Sequence, residues 1–108
     1  MFGTENEKNI EKEFALEKIR NEISYLTDIA VTDNIQHDLV LLDKIIDFVE
    51  KNKSLLDLKY AEDIWYIMAK LYHLKTMITN MHIYKSYEVR REINEIIEYA
   101  NKHLVWGC

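Results

Sequence analysis

Residues 60–81 read YAEDIWYIMAKLYHLKTMITNM, with Tyr60, Ile64, Ile67, Leu71, Leu74, Ile78 and Met81 at intervals of 4, 3, 4, 3, 4 and 3. That spacing places all seven on one side of a single long helix. Comparable stripes run through the rest of the chain. Leu16, Ile19, Ile23, Leu26 and Ala30 mark a first helix, and Ile35, Leu39, Leu42, Ile46 and Val49, widened by Leu41, Ile45 and Phe48, mark a second. Val89, Ile93, Ile96, Ile97, Ala100 and Leu104 mark a fourth. Ile10 and Phe14 stand off the first stripe, so the early turns of that helix shift phase or meet another surface.

The breaks between stripes are polar. Thr4-x-x-Glu7 has the form of a capping box at the first helix start, Thr32-Asp33-Asn34 separates the first two helices, and Ser54-x-x-Asp57 offers a cap for the third. Lys85-Ser86 offers one for the fourth. The pattern predicts an all-α chain, a four-helix up-down-up-down bundle with short polar connections and helices over roughly 5–31, 35–52, 56–82 and 87–104. At 108 residues, one helical domain over 1–108 is expected. With no proline, and glycine only at Gly3 and Gly107, few β folds could make their turns.

Composition excludes several function classes. Fourteen basic against 19 acidic residues give a net charge of −5, which disfavours unspecific attraction to nucleic acid or an anionic membrane. The balance is uneven, since residues 64–91 carry five basic and one acidic side chain. The longest uncharged apolar run, Ile64 to Ala69, is far short of a membrane span, and the first residues lack a secretory apolar segment. A cytoplasmic location is expected. The lone Cys108 permits no intrachain disulfide.

Catalytic patterns are sparse. A dimetal bundle site needs Glu-x-x-His, but Asn34, Lys70, Thr79 and Ala100 stand three residues before the four histidines. No acidic residue falls on the stripes as assigned. Asp33-x-x-x-His37 reads as a cap followed by a surface histidine, and His103 as a packed or capping residue near a helix end. Glycine-rich phosphate loops are missing, as is the Arg-x4-6-His signature of helical ribonuclease-like toxin domains. The expectation is a non-enzyme without cofactor or metal.

Two surfaces stand out. Between Ile64 and Tyr84 only Lys70 and Lys75 are charged, and the back of the third helix carries Tyr66, Ala69, His73, Thr76 and Asn80, with Trp65 and Tyr72 widening the apolar arc. Such a back suits either a central helix covered by three neighbours or a contact face, where aromatics are enriched and charge depleted. Tyr66, Ala69, His73, Tyr84 and Tyr87 are the candidate protein-interface residues, for a foreign partner or a second copy. The alternative is a helical component of a nucleic-acid-binding complex using residues 70–91, with Lys85, Arg90 and Arg91 as candidate phosphate contacts. Against it, Glu88, Glu92, Glu95 and Glu98 lie within two turns of both arginines. Leu104, Val105 and Trp106 are expected to fold back onto the bundle end.

Size, acidity and helicity are similar to those of small bacterial immunity proteins that neutralise a toxin, and of small phage inhibitors of host defence proteins. The likeness is architectural, rests on no shared motif and carries over no functional residues. It implies a small acidic protein-binding module, an inhibitor or adaptor. Elemental analysis of the purified protein should find no stoichiometric zinc or iron. About one metal per chain, lost on replacing His37 or His73, would contradict that expectation.

Overall fold

The computed structural model describes residues 2–31, 34–80 and 86–106, with side chains over 10–29, 34–80 and 87–106. The chain is an all-α, four-helix up-down-up-down bundle of α1 (Phe2–Ser24), α2 (Ile35–Asn52), α3 (Ala61–Asn80) and α4 (Ser86–His103). No strand occurs among the described residues. Both α1 and α3 pack against α2 and α4, so α1 and α3 occupy opposite corners. A continuous apolar core runs between the four helices.

The core follows the stripes. Tyr60, Ile64, Ile67, Leu71, Leu74 and Ile78 are all buried, as are Val89, Ile93, Ile96, Ala100 and Leu104 on the facing side of α4. Met81 lies outside the described residues. In the first segment Ala15, Leu16, Ile19, Ile23 and Leu26 are buried, and so is Ile29, which the helical stripe does not contain. The cause is a change of helix type. α1 ends at Ser24 instead of running to 31, and Tyr25–Val31 continues as a 3-10 helix, in which positions three apart eclipse one another. Ile29 therefore falls directly beneath Leu26.

Other helix boundaries also differ from expectation. α1 already includes Phe2 and Gly3, so Thr4 does not begin it; the Thr4 and Ser86 side chains lie outside those described. Asn34 is the cap of α2, its side chain accepting the His37 N–H at 3.1 Å. The third helix does not start at 56. Two 3-10 turns, Lys53–Leu55 and Leu58–Tyr60, precede Ala61. Asp57 flanks the second turn without a side-chain capping bond, and pairs with Lys12 of α1 at 2.7 Å. A capping role at this position gives way to a tether between the α2–α3 connection and α1.

The buried face of α2 is rotated from the assigned stripe. Leu42, Ile45, Ile46 and Val49 are buried, whereas Ile35 is exposed and Leu39, Leu41 and Phe48 only partly covered. Counting four residues back from Leu42 reaches Asp38, which is fully buried. The expectation of stripes free of acidic residues fails here. Asp38 occupies the first turn, where the partial positive charge of the helix N-terminus favours a carboxylate, and its Oδ1 lies 3.8 Å from His37 Nδ1.

At one end of the bundle the chain closes on itself. Leu104 is fully buried, its carbonyl accepts a hydrogen bond from Arg20 of α1, and the Val105 carbonyl accepts one from the Tyr60 hydroxyl at 2.7 Å. Lys59 lies 5.4 Å from the Trp106 ring centre, and Trp106 packs against the core. The tail folds back as expected.

A truncation in the shared core should cost far more than one on the open side of α3. Leu71→Ala is expected to destabilise the chain by about 2–5 kcal/mol in urea unfolding. Trp65→Ala should cost about 0.5 kcal/mol or less. Equal costs would contradict the assignment of faces.

Candidate functional site

α3 presents three faces. Its core stripe is buried, one flank meets α4 through polar and aromatic contacts, and the remaining side is open. The open side carries Trp65, Ala69, Tyr72 and Thr76 at intervals of 4, 3 and 4, with Leu58 seven residues before Trp65. This is a second stripe, roughly 150° around the helix from the first. Trp65 is 73% exposed, Tyr72 52% and Leu58 91%. The account of α3 as a central helix covered by three neighbours is thereby overturned.

Beside this stripe lies a groove of about 640 Å³ between α3 and the α2–α3 connection. Leu56, Ile64 and Met68 are among its more buried lining residues, while Leu58, Trp65 and Tyr72 project from its sides. The two 3-10 turns carry Leu56 and Leu58 past α3, which a direct start of the helix at 56 would not do. Charged lining residues occur in pairs: Lys53 lies 2.8 Å from Glu50, and Asp57 binds Lys12. The groove therefore offers an apolar surface whose charged neighbours already have partners.

The flank toward α4 is different in chemistry. Tyr66 contacts Tyr99 at 4.2 Å between ring centres, and Tyr99 stacks on His103 at 4.1 Å. The Tyr99 hydroxyl donates to Asp63 Oδ1 at 2.7 Å, and His103 Nδ1 lies 3.7 Å from the same oxygen. Burial first, and then the bond to Asp63, push the Tyr99 phenol up to about 12. Further along, Lys70 Nζ stands 2.7 Å from Glu92 and 3.2 Å from Glu95. Its pKa is raised chiefly by Glu92, with burial pulling downward and Glu95 adding to the rise.

The five candidate interface residues do not share one surface. Ala69 lines the groove, Tyr66 turns to the α4 flank, and His73 is exposed outside the groove lining. Tyr84 lies outside the described residues. Tyr87 is 75% exposed on α4, beside a smaller hollow of about 360 Å³ that it shares with Arg90, Arg91, Asn94, Glu95 and Glu98. Of the candidate phosphate contacts, Lys85 lies outside the described residues, and Arg91 is 3.7 Å from Glu95. Lys75 pairs with Asp43 at 2.8 Å. Much of the local basic charge is thus matched by carboxylates. His103 sits beside the α4 stripe, half-exposed on Tyr99.

Trp65 and Tyr72 were visible in the sequence only as a widening of the apolar arc, and Leu56, Leu58 and Met68 were not singled out. The available signal was the second 4-3-4 spacing, with Leu58 one heptad upstream. Among the described residues, no group of three or more His, Cys, Asp or Glu side chains could hold a metal ion. No helix there is long and apolar enough to cross a membrane. No protein-family model, curated protein or solved structure matches the chain.

The α3–α4 flank makes an alkaline prediction. An unfolded tyrosine ionises near 10, whereas Tyr99 holds its proton to about 12. The stabilisation from this group is complete below pH 10 and is lost as pH rises toward 12. Ultraviolet titration should show a late phenolate step that disappears in Tyr99→Phe. A late step unchanged by that substitution would contradict the assignment.

Proposed function

We propose that the chain is a small, acidic, non-enzymatic protein-binding module, an inhibitor, immunity-type or adaptor protein acting in the cytoplasm on a protein partner. The observation that carries this reading is the second apolar stripe of α3, open along the groove beside Leu58, Trp65 and Tyr72. Aromatic side chains with a methionine floor and little unpaired charge are the composition of interface cores. An amphipathic helix laid along such a groove would bury its apolar face at i, i+3, i+4 and i+7 positions. A second copy of the chain would meet the same requirement.

The polar groups argue in the same direction. Catalysis needs convergent polar groups in a pocket, whereas the groove's Glu50 and Lys53 face one another and Asp57 is held by Lys12. The nucleic-acid alternative has less support, because Lys70, Lys75 and Arg91 all stand beside carboxylates.

Affinity capture from the native host with wild type and Trp65→Glu as paired baits tests the reading. The same protein partner should be retained by wild type across rising salt and lost from the variant, with helicity unchanged by circular dichroism. A charge forced into a desolvated contact breaks it. Capture of nucleic acid that falls steeply with salt, or a partner that Trp65→Glu retains, would contradict the proposal.

A further inference from the structure

α1 carries apolar side chains on two opposite sides. Leu16, Ile19 and Ile23 face the core and are fully buried, whereas Ile10 and Phe14, one turn apart and roughly opposite them around the helix, are 64% and 53% exposed. Ala15 is the first described side chain of α1 to be buried, so the exposed pair stands outside the packed core. Nor does the pair serve the groove of its own chain. Lys12, which binds Asp57 at the groove, lies about 160° around α1 from both residues.

The charges around this pair are one-sided. Glu13 and Glu17 border it on one side of the helix and Glu11 on the other, all three exposed, and Glu22 follows further along. The cations of the same stretch are engaged elsewhere: Lys12 by Asp57, Arg20 by the Leu104 carbonyl, and Lys18 over the Phe14 ring, 4.6 Å from its centre. Among the described residues, no basic group stands within ion-pair distance of Glu11, Glu13, Glu17 or Glu22. The rest of the bundle shows the reverse, since Asp43, Asp47, Glu50, Glu92 and Glu95 each face a lysine.

An apolar centre inside a charged rim is the layout of a protein interface, and the sign of the rim selects what it meets. Phosphate backbones and anionic lipid are repelled by it, as is the same face of a second copy. Lys51, Lys53, Lys70 and Lys75 already stand beside carboxylates, so another copy would approach with these cations matched. A regular helix surface with a ridge at i and i+4 packs most readily against another helix. We infer that Ile10 and Phe14, rimmed by Glu11, Glu13 and Glu17, form a docking face for a basic amphipathic helix of a protein partner. Its apolar residues cover the pair, and its lysines or arginines meet the three carboxylates. The face lies on the side of α1 turned away from the groove, and it stands or falls independently of the groove.

The probe is a fluorescent synthetic peptide of about five helical turns, with leucine at i, i+3, i+4 and i+7 spacing and lysine elsewhere, beside a scrambled peptide of identical composition. Fluorescence anisotropy with the full chain should show the amphipathic peptide bound at least about tenfold more tightly than the scrambled one. Phe14→Ala should weaken that binding about tenfold, and so should Glu13→Lys combined with Glu17→Lys, each with helicity unchanged by circular dichroism. Trp65→Glu should bind as wild type does. No binding, equal binding of the scrambled peptide, or indifference to either α1 variant would overturn the inference. Loss of binding in Trp65→Glu with Phe14→Ala unaffected would overturn it by giving the peptide to the groove. Self-association of wild type in light scattering, lost in Phe14→Ala, would overturn it by giving the face to a second copy.

Discussion

Burial of one face of α3 between α2 and α4 is the constraint on which the other features depend. Ile67, Leu71, Leu74 and Ile78 are completely enclosed, and each fully buried aliphatic side chain contributes about 1.5–3 kcal/mol relative to exposure. With α1 at the opposite corner, the far side of α3 is left open among the described residues, with Trp65 and Tyr72 exposed. The open stripe is a direct consequence of the ring arrangement. A helix carrying two apolar stripes can satisfy only one of them when it sits at a corner.

The bundle end fixes what the open stripe looks like. Tyr60 is both the first residue of the core stripe and the donor to the Val105 carbonyl, so the start of α3 is held against the C-terminal tail. Arg20 ties the same tail to α1, and Asp57 ties the α2–α3 connection to Lys12. The exposed ion pair adds little stability by itself, a median of about 0–1 kcal/mol. It joins α1 to the connection that carries Leu56 and Leu58 beside Trp65. The opposite flank is occupied by the Tyr66–Tyr99–His103 stack and the Lys70 carboxylate pairs, which leaves the groove side as the larger uncommitted apolar surface of α3.

The fold was legible because helical burial imposes a period that sequence reports directly. The α3 stripe predicted buried residues at every described position from Tyr60 to Ile78 but did not contain the buried Met68, and the α4 stripe did so except at Ile97, which is only partly covered. Errors arose where the period changes or a cap competes with a tertiary contact. Ile29 was missed because a 3-10 segment advances by three, and Asp38 because a first-turn carboxylate can sit on a buried face without breaking the helix. Asp57 looked like a cap and proved to be a tether, a choice that depends on Lys12 forty-five residues away. The candidate site was legible only in part. The charge-poor back of α3 was apparent, but dividing Tyr66 from Ala69, Trp65 and Tyr72 required knowing which neighbour lies on each flank.

The central claim is that the core stripe, from Tyr60 just before α3, is buried while Trp65 and Tyr72 of α3 are open to solvent, and hydroxyl-radical footprinting read by mass spectrometry tests it most directly. In dilute protein, below any self-association, Trp65 and Tyr72 should be oxidised at rates close to those of the unfolded chain, while Tyr60 is strongly protected. Protection of Trp65 and Tyr72 equal to that of Tyr60 under those conditions would place another part of the chain over the groove and contradict the account.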